Sequence, residues 1–315
     1  MNHFIRTHNT WEDLGDEIRL VVPQEFSFAE NLKYFTNAPN ECLYRLKDQK
    51  IYKAIAGGEE TFVIEISGVD LPLIPMITLR FLGNNTPALT ATKQTVVDYV
   101  RDWFDLDKDL APFYEMAKTD PLLHRAVESF YGLRCIGIPN LFEAICWGII
   151  GQQINLTFAY TLKRELVENF GRHIQCEGED YWIFPRAEDI ACLTLEDLAP
   201  VRMTVKKCEY LIAVAKLIVE GTLTKELLLE SGDFKKAEKM LVSIRGIGPW
   251  TANYVLMRCL RMTSAFPIDD VGLHNSIKFL LGTDRKPTKE ELLQLSATWT
   301  NWESYATFYL WRFLY

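Results

Sequence analysis

The sequence predicts an α+β fold: a small antiparallel-sheet α+β domain over residues 1–105, then a mostly α-helical region over 106–315 arranged as two lobes with a cleft. Two observations carry this. Before residue 83, apolar residues alternate with a period of two in separate short stretches. From about residue 92 they recur every three or four positions, and strand signals nearly vanish. With 315 residues, 48% hydrophobic and 24% charged, the chain can bury a core without disulfides or metals.

The first strand is expected over 17–22. Ser27 and Glu30 then form a capping-box pair ahead of a short helix over 31–35. Ile51, Lys53 and Ile55 alternate with Tyr52, Ala54 and Ala56. Gly57-Gly58 supplies a turn, and 61–66 resumes the alternation, which is a hairpin pattern. A further strand is expected over 74–82. In the helical part, Val96, Val97, Val100, Trp103 and Phe104 share one face. Asp120-Pro121 opens a second helix, with Pro in the first turn where no N–H is needed. Asn140 and Glu143 cap a third that carries Phe142, Ile145, Cys146, Ile149 and Ile150. A fourth runs over 156–170 and stops at Gly171. A fifth carries Val205, Cys208, Leu211, Ile212, Ala215 and Ile218 and stops at Gly221. Helices over 235–243, 249–261, 270–281 and from 289 to the end complete the chain.

The 34 Lys+Arg against 42 Asp+Glu give a net charge of -8, which excludes a generally basic, histone-like binder. A local patch of amides and lysines can still bind phosphate. The 7 cysteines are an odd count with no CxxC spacing, so neither a zinc site nor a ligated cluster is expected, and a reducing compartment fits. Residues 1–8 lack an apolar h-region, and no apolar run approaches the roughly 20 residues needed to span a bilayer. A soluble, cytoplasmic protein is the expectation.

The most informative stretch is Ile244-Arg245-Gly246-Ile247-Gly248-Pro249-Trp250-Thr251-Ala252-Asn253-Tyr254, behind a helix bearing Lys235, Lys236 and Lys239. Two glycines bracket one apolar residue, and Pro stands at the first position of the next helix. Glycine accepts positive φ, and a tight turn into a helix N-terminus leaves amides free for an anion. Gly246, Ile247, Gly248 and Thr251 are therefore candidates for gripping a DNA phosphate without reading sequence, with Ile247 tucked back between the helices. By itself, a GxG between helices is also an ordinary αα-corner. About twenty residues on, Phe266-Pro267-Ile268-Asp269-Asp270-Val271 opens a new helix, where an Asp is also a plain N-cap. Asp269 is the expected cap.

Together, the GIG hairpin and the Pro-x-Asp helix start at this distance resemble the helix–hairpin–helix DNA glycosylase superfamily, and within it the DNA-3-methyladenine glycosylase II family of alkylation repair. Leu141-Phe142-Glu143-Ala144-Ile145 followed by Ile149-Ile150-Gly151-Gln152-Gln153 resembles the family's helix and DNA-probing loop. Phe184-Pro185, Lys206-Lys207-Cys208-Glu209-Tyr210, and Trp299, Trp302, Ser304-Tyr305-Ala306 and Trp311 follow in the expected order. The resemblance covers about Leu43 to the C-terminus and is strongest over 139–270. The front α+β unit is one that this family carries.

The resemblance implies base excision repair: monofunctional hydrolysis of the N-glycosidic bond of flipped alkylated purines, of the 3-methyladenine and 7-methylguanine type, leaving an abasic site. Double-stranded DNA carrying alkylated bases is then the partner of a monomer. Asp270 matches the catalytic aspartate, since a carboxylate near C1′ stabilises oxocarbenium character and orients water. Trp250 stands where strand-nicking relatives carry a nucleophilic lysine, and an indole forms no Schiff base. Trp250, Tyr254 and Trp311 are the implied base pocket, whose aromatic faces attract a cationic base. Gln152, Gln153 and Ile154 match the loop that wedges into the duplex. The five histidines show no ligand spacing and no cysteine follows Cys259, so no catalytic metal or iron–sulfur cluster is expected. No cofactor is implied beyond a monovalent cation bridging hairpin carbonyls and phosphate. Lys206 and Lys207 face phosphate or solvent, and Arg285, Lys286 and Lys289 read as a solvated loop. The alternatives are a glycosylase for deaminated purines and a helix–hairpin–helix DNA-binding module without chemistry, which has no need of an acid at position 270.

Overall fold

The computed structural model describes residues 11–314 apart from 37, 39, 59, 70–74 and 84. Ile74, expected to start a strand, and His3 and His8 lie outside the described residues.

The front of the chain is an antiparallel six-stranded sheet with two helices. β1 (Trp11–Asp13) and β2 (Glu17–Val21) precede α1 (Phe28–Thr36). β3 (Arg45–Lys47), β4 (Lys50–Gly57), β5 (Glu60–Val69) and β6 (Met76–Phe81) follow, and α2 (Thr90–Trp103) closes the unit. The strand order is β1-β2-β6-β5-β4-β3. The expected hairpin is β4–β5, in register from Ile51 opposite Ile66 to Gly57 opposite Glu60, and Gly58 opens its turn at φ +74°. Ile18, Leu20, Ile51, Ile55, Phe62, Ile64, Ile66, Ile77 and Leu79 are all buried by the alternation of the strands. The Ser27 hydroxyl accepts from the Glu30 N–H at 3.2 Å and starts α1.

Helices then take over: α3 (Ala111–Ala117), α4 (Leu123–Ser129), α5 (Leu141–Ile150) and α6 (Leu156–Phe170). Asp120 accepts from the amides of Leu122 and Leu123, both at 2.9 Å, so α4 begins just past the expected Pro. Asn140 caps α5 through the Glu143 N–H at 2.9 Å, as its sequence predicts.

The expectation that strands vanish after residue 92 fails at β7 (Arg172–Cys176) and β8 (Glu179–Ile183), a two-stranded hairpin. Cys176 and Tyr181 pack with Ala54, Val63 and Leu82 in a small second core on the outer face of the sheet. β4 and β5 are thereby covered on both faces.

α7 (Ala187–Ala191), α8 (Val205–Val219), α9 (Lys225–Glu230), α10 (Phe234–Val242), α11 (Pro249–Arg258) and α12 (Val271–Leu281) follow. α11 ends three residues before the expected 261, and Arg261 takes a left-handed φ of +59°. The helix expected from 289 to the end is two, α13 (Lys289–Leu295) and α14 (Glu303–Trp311), with Asn301 at φ +67° between them. One apolar core runs from the sheet through α2 and on to α5, α11 and α14. α11 sits deep in it: every residue from Thr251 to Arg258 is buried.

Candidate active site

The bend between α10 and α11 has the geometry its two glycines suggest. Gly246 is at φ +95°, and a Cβ there would stand 2.3 Å from the Tyr210 ring of α8. Ile247 turns back into the core at 3% exposure. Gly248 is the N-cap of α11 with no side-chain cap, is exposed, and has open space where a Cβ would go. Pro249 at N1 has no N–H to lose, and the remaining first-turn amides of α11 have no partner within the helix and stand at its positive end. Arg245 in the bend and Lys235, Lys236 and Lys239 on the preceding α10 are exposed. The Thr251 side chain is buried and its hydroxyl accepts from Gln152 Nε2 at 3.0 Å, so its candidacy for a phosphate rests on its first-turn amide.

Asp270 is the N-cap of α12, accepting from the Leu273 N–H at 2.8 Å. This corrects the expectation for Asp269, which is exposed and paired with Lys289 Nζ at 3.0 Å. Lys289 is thus not simply solvated. Two indoles also point at the Asp270 carboxylate: Trp250 Nε1 donates to Oδ2 at 2.9 Å and Trp311 Nε1 to Oδ1 at 2.8 Å. Trp250 lies two residues past Gly248, so one side chain joins the bend to the acid. Gly272 makes the meeting with α14 feasible, because a Cβ there would sit 3.0 Å from Asp270 Oδ1 and 3.3 Å from the Trp311 ring. The segment before the acid is tied to α11 by Asn253, whose Oδ1 accepts from the Phe266 N–H at 2.8 Å. Asn253 Nδ2 in turn donates to Glu238 Oε1 of α10 at 2.6 Å.

The structure brings the three predicted pocket aromatics together. Trp250 and Tyr254 stack with centroids 5.4 Å apart, and Tyr254 lies 6.4 Å from Trp311. Trp250 and Trp311 are half-buried, whereas Tyr254 is buried beneath them. Behind Tyr254 lies Arg258, buried among aromatic faces: its guanidinium sits 5.4 Å from the Tyr254 centroid and 5.7 Å from that of Tyr34. It donates to Tyr254 Oη at 3.0 Å, Tyr34 Oη at 2.8 Å and the Ile136 carbonyl at 2.6 Å. Burial pushes the Tyr254 phenol above its ordinary range.

A cavity of about 60 Å³ lies between Tyr254, Arg258 and the sheet, lined also by Tyr44, Lys53, Trp147 and Lys163; Trp250, Trp311 and Asp270 do not line it. In its wall Lys163 Nζ lies 2.9 Å from Glu41 Oε2 and 3.1 Å from Glu143 Oε1. Burial drives the Glu41 carboxyl up, but the Lys163 ammonium, the Leu43 amide and Lys53 together outweigh it and leave Glu41 below its ordinary value. Burial also lowers the Lys53 ammonium.

The predicted wedge loop, between α5 and α6, separates its three candidates. Gln152 is turned inward: Nε2 donates to the Gly246 carbonyl at 2.9 Å and to Thr251 Oγ1. Ile154 is half-buried against the core. Gln153 is exposed and held at φ +59°. Lys207 is half-buried and turned onto the loop rather than into open solvent. It donates to the carbonyls of Ile150 at 2.8 Å and Gln152 at 2.9 Å, and burial lowers its ammonium. Sequence reasoning missed Gly272, Asn253, Arg258 and the inward turns of Gln152 and Lys207. Only Arg258 left a signal, at i+4 from Tyr254 on the face of the pocket aromatics.

Among the described residues no group of three or more His, Cys, Asp and Glu is placed to hold a metal ion, and no helix is long and apolar enough to cross a membrane.

Comparison with known proteins agrees with this architecture. Residues 146–301 match the family model of HhH-GPD superfamily base excision DNA repair protein, and residues 18–145 that of the 8-oxoguanine DNA glycosylase N-terminal domain. The chain is 53% identical over 306 residues to the DNA-3-methyladenine glycosylase of Bacillus subtilis, covering 97% of this chain and 100% of that one. Among solved structures, the 3-methyladenine DNA-glycosylase from Archaeoglobus fulgidus superposes with a TM-score of 0.79 at 21% identity, over 94% of this chain and 97% of that one. The Clostridium acetobutylicum 8-oxoguanine glycosylase/lyase in complex with DNA gives 0.75 at 16% identity, over 97% of each. The last two similarities speak for the fold. The acid between two indoles, the glycine bend that leads into it and full-length identity above half place this chain in the DNA-3-methyladenine glycosylase family of the HhH-GPD superfamily.

Proposed function

We propose that this protein removes alkylated purines, of the 3-methyladenine and 7-methylguanine type, from double-stranded DNA by hydrolysis of the N-glycosidic bond. The observation that carries the reading is the Asp270 carboxylate, fixed by Trp250, Trp311 and the Leu273 amide at the start of α12. The bend at Gly246–Gly248 grips the strand through backbone amides. Gln153 fills the gap in the stack, and the extruded base lies against the half-buried faces of Trp250 and Trp311. Aromatic faces favour a cationic base by about 2 kcal/mol or more once water is excluded. As the bond to C1′ lengthens, the sugar gains positive charge and the base leaves with the bonding pair. The Asp270 carboxylate beside it stabilises that charge and orients the water that completes the reaction. No lysine stands at position 250 to form an imine, so the product is an intact strand with an abasic site.

A monovalent cation at the bend would be held by backbone carbonyl oxygens. Those of Ile244 and Gly246 each keep a lone pair beyond the hydrogen bonds they accept from Ile247 N–H and Gln152 Nε2. Acid, aromatic wall, bend and wedge all belong to one chain, which supports action as a monomer, and we place that action at the chromosome in the cytoplasm.

The test is single-turnover release of bases from methylated and from deaminated duplex DNA. Asp270→Asn, which retains a capping side chain, should lose at least about a hundredfold in rate while still binding the damaged duplex. An undiminished rate in that variant, or nicking before alkali treatment by the parent enzyme, would overturn the assignment. Preferential release of hypoxanthine would move the substrate class to deaminated purines.

A further inference from the structure

The loop that presents Gln153 is fastened at two points to elements outside it. At the C-terminus of α5 the last carbonyls have no partner within the helix, and a cation is favoured there. Lys207 of α8 fills that role with bonds to the carbonyls of Ile150 and Gln152 at 2.8 and 2.9 Å. Among the described residues it has no carboxylate partner, so this half-buried charge is spent on the loop. The Gln152 side chain reaches the other way, to the Gly246 carbonyl at 2.9 Å and to Thr251 Oγ1 at 3.0 Å, spanning from the loop to the bend. One turn beyond Lys207, the Tyr210 ring lies where a Cβ on Gly246 would come within 2.3 Å. α8 therefore braces the loop and the bend together. Between its fastenings Gln153 adopts a left-handed φ of +59°, a conformation that non-glycine residues hold only when their surroundings enforce it.

We infer that Gln152 and Lys207 are positioning residues, which set the wedge Gln153 at a fixed distance from the phosphate-gripping bend so that gripping the strand and entering the stack act as one rigid unit. The inference rests on the glycosylase reading above and adds the residues that couple its two DNA-contacting loops. Neither side chain is placed to touch the base or the sugar. With Lys207 replaced by Met, the aliphatic stem remains and the two carbonyls lose their donor. With Gln152 replaced by Ala, the loop stays on α5 but parts from the bend.

The experiment uses the full chain and a duplex carrying 7-methylguanine with 2-aminopurine as its neighbour, whose fluorescence rises when the stack opens. Parental protein, Lys207→Met, Gln152→Ala, the double variant and Lys207→Arg are compared for that fluorescence change, for single-turnover release of 7-methylguanine and for affinity toward the undamaged duplex. The expected result is a loss of most of the fluorescence change and at least a tenfold slower release in each single variant. Affinity for undamaged duplex should stay within twofold of the parent. The double variant should be no worse than the poorer single one, since both act on one loop, and Lys207→Arg should recover much of the loss by keeping the donors. Parental fluorescence and release in both single variants would overturn the inference. So would a fall in undamaged-duplex affinity that parallels the loss of release, because Lys207 would then be an ordinary phosphate contact. Absence of release by the parental protein would instead defeat the glycosylase reading itself.

Discussion

Each group around Asp270 has one task that its chemistry can perform. An indole donates a single hydrogen bond, and two indoles with one amide fill three positions on the carboxylate, which cannot rotate without breaking them. Gly272 is the quiet member of this set. Gly272→Ala should leave the fold intact, since alanine favours a helix. Its methyl group nevertheless meets Asp270 Oδ1 at 3.0 Å and the Trp311 ring at 3.3 Å, and one of them must move. Single-turnover release should slow roughly tenfold, because small displacements of reacting groups are costly; a parental rate would show that the acid tolerates the shift. At this scale the resemblance named the acid, the three aromatics and the glycine bend, and the structure brings them side by side. Which of two adjacent aspartates caps the helix was not legible. Asp269 and Asp270 have the same capping chemistry, and Lys289, from a different helix, draws Asp269 away.

At the scale of elements, the bend is an anion site without a side chain of its own. Gly248→Asp should keep or slightly raise the melting temperature, since Asp is a good N-cap and open space awaits it. The new carboxylate would face the phosphate, and affinity for duplex should fall about tenfold, the scale of one lost charge-assisted bond. Unchanged affinity would mean that the strand is held elsewhere. The ion triad of Glu41, Lys163 and Glu143 joins the loop after α1 to α6 and α5. Glu41 titrates below its ordinary value of 4.5, so its contribution to stability is complete above that pH and is lost as pH falls through the depressed value. Glu41→Gln should therefore flatten the loss of melting temperature below about pH 4.5, and an identical acid profile in both proteins would contradict this. The β7–β8 hairpin shows what a sequence hides at this scale. Ile174 and Cys176 alternate with the exposed Gln175, but the half-buried Trp182 between Tyr181 and Ile183 blurs the period on β8, and a lone two-stranded ribbon is marginal in water. Its stability comes from Ala54 and Val63 on strands more than a hundred residues earlier.

Over the whole molecule, the front sheet and the helices share one continuous apolar core. The cavity behind Tyr254 is walled from both sides: Tyr34, Tyr44 and Lys53 come from the front unit, Trp147 and Lys163 from the helices. Urea unfolding followed by far-ultraviolet circular dichroism and by tryptophan fluorescence should accordingly give coincident transitions. Two separated transitions would show that sheet and helices are independent units. The overall class was readable because hydrophobic periodicity changes near residue 90, whereas the shared core was not, because it depends on which faces meet in space.

The residue assigned to the chemistry is also the punctuation mark at which α12 begins. An alanine there would remove the mark along with the charge, and a lost rate in that variant would confound architecture with reactivity. Asparagine keeps the mark and drops the charge, which makes it the fitting replacement for trapping the enzyme on an uncut lesion.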